Sequence, residues 1–269
     1  MIGSMACGVE MERIDFVMPS RNQIGLVSVS FRDRTPEEIL KAMKLAGLSW
    51  IEWGSDVHAP VEDREGIGRL AEMQAKYGVQ CSSYGTYFKI GVTPMESLPA
   101  YIDAAKILGT RILRLWCGDR CGAEVTEEER QAFLSLCREA ARIAEKKDAI
   151  LCMECHKGTF TERPEDAVLL MQTVRSSHFR MYWQPFQWQS VQENIENAKA
   201  IAPFTEHIHV FHWKQDEKLP LSEATDEWRK YLSEFAMPHT LLLEFMPHDR
   251  LEELAAEAHA LRIIIGEDI

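Results

Sequence analysis

An α/β fold, a single-domain (β/α)8 TIM barrel, is predicted by three observations. Apolar, strand-like runs alternate with helical stretches from Ile24 onward; eight such pairs can be counted; and 269 residues suit one barrel of about 250 residues. The last four apolar runs, LCMECH, MYWQPFQ, HIHVFHW and TLLLEFMP, each carry a metal-ligand type of side chain, at Glu154, Gln184, His209 and Glu244. These positions are 30, 25 and 35 residues apart, close to one strand-plus-helix unit, so successive strands would present the groups together.

Taken in order, Ile24 to Phe31 reads as the first strand, and the helix after it opens with Thr35 at the N-cap, Pro36 at the first helical position and Glu38 three residues after the cap. That pattern gives the orphan amides of the first turn their partners. Gly47 closes the helix. SWIEWGS is the second strand, before a helix ending near Gly78. VQCSSYG is the third, followed by Thr93-Pro94-Met95-Glu96 as another capping box. RILRLWCG leads to Thr126 and a long helix through Lys147. The second half repeats the grammar: AILCMECH with a helix from Pro164, FRMYWQP with one from about Ser190, HIHVFHW with one from about Thr225, and HTLLLEF with a last one from about Asp249. Alternation at this spacing predicts parallel strands with helical crossovers. A doubly wound open sheet is the rival, and the count of eight favours closure. Residues 1–22 read as an extension and 23–269 as the barrel.

Composition narrows the function classes. With 30 Lys plus Arg against 42 Asp plus Glu, the net charge of -12 repels phosphate backbones, which disfavours nucleic acid as a partner. Seven cysteines at irregular spacings do not form a disulfide framework, and no apolar run is long enough for a signal or membrane segment, so a cytoplasmic protein is expected. Neither GxGxxG nor GxxxxGK[ST] is present, which removes the usual nucleotide fingerprints.

Strand alternation sorts the candidate residues. If Glu154 points into the barrel, Ile150, Cys152 and His156 share its side, while Leu151, Met153 and Cys155 face the helices. The apparent CxxC of Cys152 and Cys155 is then split between two faces, which argues against a redox or zinc role. The same alternation groups Tyr182 with Gln184 and Phe186, His207 with His209 and Phe211, and Leu242 with Glu244 and Met246. Two carboxylates, an imidazole and an amide oxygen at strand ends suit a divalent metal such as Mn, Mg, Co or Zn. Without a metal, Glu154 and Glu244 would share a confined mouth where repulsion and desolvation raise a carboxyl pKa.

Each residue has a plainer alternative. Glu154 or Glu244 would serve as a strand-end carboxylate paired with an Arg, His209 as a satisfied core histidine, and Gln184 as a hydrogen-bond donor to substrate rather than a ligand. Glu52 on the second strand, His58 after it, Arg114 on the fourth, His156 after Glu154 and Lys214 after the seventh lie near the same mouth and are candidates for binding a polyol. Trp53, Trp116, Trp183, Trp188 and Trp213 fall near strand ends, where an aromatic face packs well on a sugar, though core packing is the default for Trp.

On IEWGSDVHAP, MECHKGTFTERPED, HIHVFHW and LLLEFMP, in that order and spanning nearly the whole chain from Ile24, the sequence resembles the xylose isomerase-like TIM barrels, which include sugar isomerases and epimerases, inosose dehydratases and endonuclease IV. The resemblance implies a divalent metal held by Glu154, Gln184, His209 and Glu244. Gln184 departs from the pattern, since the family commonly has Asp there, and Gln187 stands where some epimerases have His. It further implies carbohydrate chemistry by proton transfer next to a carbonyl, with Glu154 and Glu244 as the catalytic pair, one removing the α-proton and the other returning one to the opposite face. A sugar or polyol is then the expected partner, and a homo-oligomer is compatible with the family. A lyase resembling inosose dehydratase would use the same base and metal. A metal-free sugar-binding relative is the non-catalytic alternative. A nuclease of this fold would need more His and Asp ligands and a basic track.

Overall fold

The computed structural model describes residues 22–236 and 238–267. The extension expected over residues 1–22 therefore lies outside the described residues, apart from Asn22. The strands β1 (Gln23–Val27), β2 (Trp50–Gly54), β3 (Gln80–Lys89), β4 (Ile112–Trp116), β5 (Ile150–Glu154), β6 (Phe179–Trp183) and β7 (Thr205–Val210) are followed by a two-stranded hairpin, β8 (Trp213–Lys214) with β9 (Glu217–Lys218), and then by β10 (Thr240–Leu243). All but the hairpin pair in parallel around a closed barrel, β1-β10-β7-β6-β5-β4-β3-β2. The helices α1 (Pro36–Leu45), α2 (Arg64–Lys76), α3 (Leu98–Leu108), α4 (Glu127–Lys146), α5 (Pro164–Val174), α6 (Val191–Ile201), α7 (Thr225–Leu232) and α8 (Leu254–Ile265) connect them. The chain is thus the (β/α)8 TIM barrel that the alternation predicts, and closure pairs each barrel strand on both sides.

Capping sets where several helices begin. Thr35 accepts from the Glu38 amide while Glu38 accepts from the Thr35 amide, and the pairs Thr126 with Glu129 and Ser190 with Glu193 repeat the arrangement for α4 and α6. The box expected at Thr93 does not form. Thr93 Oγ1 instead accepts from Lys89 N at 3.0 Å, closing the turn after β3, and α3 starts only at Leu98 after a 3-10 turn over Met95–Ser97. Three other expectations shift. The first strand ends at Val27 and passes into a 3-10 turn, Ser28–Phe31; α8 starts at Leu254, not Asp249; and Phe186 and Met246 join the helix-side core because β6 and β10 end before them.

Two apolar layers follow from strand alternation. Leu151, Met153 and Cys155 of the β5 segment pack under the helices, whereas Ile150 and Cys152 join Val27, Val29, Ile112, Tyr182 and Leu242 inside the barrel. Cys152 and Cys155 are therefore on opposite faces, as alternation requires, and all six described cysteines are free. Trp53 and Trp183 lie in the helix-side layer, and their indole donors are satisfied there: Trp53 Nε1 donates to Gln74 Oε1 at 2.7 Å and Trp183 Nε1 to Asn197 Oδ1 at 3.3 Å. No helix among the described residues is long and apolar enough to cross a membrane.

One carboxylate is buried away from the barrel mouth. Glu257 on α8 accepts from the Leu221 amide at 3.2 and 3.1 Å through its two oxygens, and burial pushes its pKa up to about 7. A group whose folded pKa is raised contributes stability that is present below its ordinary value and is lost as pH rises toward the folded value. Glu257→Gln, which keeps the acceptor, should therefore match the parent near pH 4.5 and gain on it steadily up to about pH 7, as read by urea unfolding at several pH values. A parent-minus-variant difference that does not change with pH would contradict this.

Candidate metal centre and active site

The inward face of the barrel changes character from bottom to top. Below lie Ile112, Ile150, Cys152 and Leu242; above them, toward the C-terminal ends of the strands, the same face carries Glu52, Arg114, Glu154, His209 and Glu244, all buried. Glu154 is the last residue of β5, Gln184 and Glu244 directly follow β6 and β10, and His209 is the residue before the end of β7. The β10–β7 register pairs Leu242 with His209, and the β5–β6 register pairs Glu154 with Tyr182. Parallel strands in this register bring ligand-type groups to one rim although they are far apart in the chain.

His209 Nδ1 is the centre of the arrangement. It lies 3.2 Å from Gln184 Oε1, 3.2 Å from Glu244 Oε2 and 3.4 Å from Glu154 Oε1. One ligand atom each from Glu154, His209 and Glu244 falls within 4.8 Å of the others, a group able to hold a metal ion. Gln184 is oriented by its amide nitrogen, which donates to the Cys155 carbonyl at 3.0 Å and so turns Oε1 toward His209. Glu244 Oε2 is buried and accepts no hydrogen bond. A buried anionic oxygen without a donor is costly in a protein interior, and a cation between these oxygens would remove that cost. The donor set, hard oxygens with one imidazole, fits a divalent cation.

A second set of contacts fixes the carboxylates. Arg114 Nε donates to Glu52 Oε1 at 2.9 Å and its Nη1 to Glu154 Oε2 at 2.7 Å, and Trp116 Nε1 donates to that same Glu154 oxygen. Glu154 thus has one oxygen occupied and the other facing His209. Ser83 Oγ donates to Glu52 Oε2 at 2.9 Å and receives the Tyr182 hydroxyl at 2.7 Å. His209 Nε2 is buried without a hydrogen-bond partner and lies 3.7 Å from Glu52 Oε1, close enough for the carboxylate to act on the ring through its charge.

The electrostatics follow from three carboxylates sharing the interior with one guanidinium. Burial opposes the charge on Glu52 and on Glu154, but Arg114 and then His209 overcome it and hold both below the usual carboxylate range. Glu244 has no such donor, and burial, with Glu154 adding repulsion, pushes it up to about 7. Burial disfavours a charged His209, yet Glu244, Glu154 and Glu52 outweigh it and raise the ring to about 10. The same excess of negative charge attracts a cation.

Among the other sequence candidates, Glu52, Arg114 and His156 are at this mouth. His156 stacks on Trp116 with centroids 4.4 Å apart, and its Nδ1 hydrogen-bonds to the Lys157 carbonyl. His58, in contrast, has both ring nitrogens engaged, Nδ1 with Ser28 Oγ at 3.1 Å and Nε2 with the Arg34 carbonyl at 3.1 Å, so it braces the β1–α1 loop and presents no free nitrogen to a substrate. Gln187 and Lys214 line a small cavity bounded by Val191, Asn194, Trp228 and Tyr231, outside the barrel interior, and Lys214 Nζ pairs with Glu227 at 3.1 Å. The β8–β9 hairpin sets the position of Lys214. Its register pairs Lys214 with Glu217 and Trp213 with Lys218, and it is Lys218 that lies over the rings of Trp213 and Phe245. Ser83 had no signal in the sequence, because its role depends on its register opposite Glu52. Trp116 did, being two residues beyond Arg114 on one strand face.

Comparison with known proteins places this geometry. A model of the xylose isomerase-like TIM barrel matches residues 40–264. The chain belongs to that family. Solved structures similar to this xylose isomerase-like barrel include a probable 3-DHS dehydratase, AsbF, from Bacillus anthracis (TM-score 0.75, 16% identity, 89% of this chain and 98% of that one). A xylose isomerase-like protein from Mycobacterium smegmatis in complex with magnesium gives 0.68, at 15% identity over 91% and 97%. D-Psicose 3-epimerase from Clostridium cellulolyticum H10 with D-tagatose gives 0.67, at 10% over 90% and 98%. These identities show a shared fold. No curated protein matches the sequence significantly.

Gly85 makes room for the Arg114 ion pairs. It is the register partner of Arg114 on β3, and a Cβ there would press on Glu52 Oε1 and on Arg114 Nη2 well inside contact distance. Gly85→Ala should cost about 1–3 kcal/mol by overpacking. Gly68, mid-helix in α2 with open space around it, is the control: Gly68→Ala should gain about 0.5–1 kcal/mol. Urea midpoints of the two variants check both signs.

Proposed function

We propose that this barrel is a divalent-metal-dependent sugar isomerase or epimerase, moving a proton at a carbon next to a carbonyl of a ketose or related polyol. The observation that carries the reading is the convergence of Glu154, His209 and Glu244 within 4.8 Å at the C-terminal rim, in a family whose solved members include epimerases. The two glutamates differ in protonation tendency because Arg114 and Trp116 donate to Glu154 and nothing donates to Glu244 Oε2. Two carboxyls whose surroundings separate their pKa values are suited to opposite halves of a proton transfer.

In this reading Glu154, Gln184, His209 and Glu244 hold the cation. When bound, it would polarise the carbonyl and the adjacent hydroxyl, a contribution of several kcal/mol to lowering the barrier. Glu154, kept ionised by Arg114, takes the proton from the α-carbon, and Glu244 supplies one to the other face. Arg114 and Ser83, the latter with Tyr182, hold Glu52 in place, and its charge lies 3.7 Å from His209 Nε2. A dehydratase would share the first half of this chemistry and differ in expelling a hydroxyl; the similarity to a probable 3-DHS dehydratase keeps it as the second reading.

Incubating the protein with Mn2+ and a panel of ketoses and inososes in D2O should introduce deuterium at a carbon beside the carbonyl. Glu154→Gln and Glu244→Gln should each slow this by about 10²–10⁴-fold, measured under conditions where urea unfolding shows each variant to be folded. Retention of full exchange by a folded Glu154→Gln protein would remove the proposal. Since ligand charge tunes cation affinity, Gln184→Asp should tighten Mn2+ binding by about tenfold in calorimetry. Unchanged or weaker binding would show that position 184 does not face the cation.

A further inference from the structure

β3 is ten residues long, against four to six for the other barrel strands, and its extra length stands above the carboxylates. Tyr84 and Phe88 pack in the helix-side core, so the alternate residues face the interior. Contacts bear this out up the strand: Ser83 touches Glu52, Gly85 abuts Glu52 and Arg114, and the Tyr87 ring lies 5.9 Å from the Arg114 guanidinium carbon and 5.6 Å from the Trp116 ring. The β3–β4 pairing is irregular between Gly85 and Lys89, after which Lys89, the last residue of β3, pairs with Trp116, and its Nζ lies 4.8 Å from the Trp116 ring centroid. Trp116 itself donates to Glu154 and carries the stacked His156. Beyond His156, Lys157 Nζ lies 4.8 Å from the ring of Trp188.

Other rim cations are neutralised: Arg32 by Asp56 and Lys218 by Asp249. Lys89 and Lys157 differ. Neither has a carboxylate within ion-pair distance among the described residues, and Lys89 is only partly exposed, its ammonium held over an indole next to the candidate centre. In a chain of net charge -12, one ammonium without a carboxylate partner held over Trp116, and another on the residue after His156, are out of keeping with a mouth built for neutral sugars. A half-buried cation without a counter-charge is a place for an anion.

We propose that the substrate is itself an anion, a keto or hydroxy compound whose carboxylate or phosphate is bound by Lys89 above Trp116, with Lys157 adding charge from the next loop. This rests on the preceding reading for where the reacting carbons lie, over Glu154, His209 and Glu244. The Trp116–His156 stack forms the floor between the anion and those carbons. With Nδ1 on the Lys157 carbonyl, His156 offers Nε2 to a substrate hydroxyl.

The test is calorimetric binding to the full chain in Mn2+, with D-fructose, D-fructose 6-phosphate and 2-keto-D-gluconate as probes and with Mn2+ alone titrated separately. At least one anionic probe should bind about tenfold or more tighter than fructose, the size expected for a charge-assisted contact. Which anion binds distinguishes phosphate from carboxylate. In Lys89→Gln the preference should fall to about twofold or less while Mn2+ affinity is unchanged. Equal binding of fructose and both anions, no binding of any probe, or a preference that survives Lys89→Gln overturns the anion proposal. In each case intact Mn2+ binding leaves the metal reading standing, whereas loss of Mn2+ binding in the parent protein counts against that reading instead.

Discussion

Glu52, Glu154 and Glu244 share the upper interior of the barrel with a single guanidinium, and most of what is distinctive about the site follows from how that charge is divided. Arg114 bridges two of the three carboxylates and leaves the third without a donor. An ion pair in such a setting does not by itself secure stability, because desolvation offsets much of the attraction. What it does here is geometric. By occupying one oxygen of Glu154, together with Trp116, it leaves the other to face His209, and by holding Glu52 it places an acid behind the imidazole.

Closure of the sheet makes this division possible. Each strand contributes one or two inward side chains near its C-terminal end, and the ladder registers set which of them meet. Glu52 is opposite Ser83, Gly85 opposite Arg114, and Leu242 opposite His209, so a shift of one residue in any of these pairings would turn a polar group into the helix layer. The glycine opposite Arg114 is part of that economy of space. A side chain there would displace the very oxygen that the guanidinium binds.

Much of this was legible in the sequence, and the failures have physical causes. Eight strand-helix pairs, the helix starts at Thr35, Thr126 and Ser190, and the convergence of Glu154, Gln184, His209 and Glu244 follow from periodicity, capping chemistry and repeat length. The plainer alternative for Glu154, a carboxylate paired with an arginine, also holds, because its two oxygens do different things. Thr93 carried the right residue types for a cap, but its hydroxyl is taken by Lys89 N, an interaction set by the length of β3. His58 and Lys214 were near the mouth in sequence, yet a hydrogen-bonded loop ties down one and a hairpin turns the other outward. Alternation failed for Phe186 and Met246 for the same reason in both cases: it applies only while the strand lasts.

The β1–β10 ladder joins residues more than two hundred positions apart, from Gln23 with Thr240 to Leu26 with Leu243, and the Phe245 amide donates to Ser30 at 3.0 Å. Glu244 sits between those two attachments. During synthesis a nascent chain would have most of the barrel, and three of the four groups that converge on the rim, long before the last strand could dock on the first. The contact of greatest sequence separation is thus the one that completes the centre, and such contacts are the slowest to form. Partly assembled barrels would carry the acidic interior without its full enclosure until the chain has come full circle.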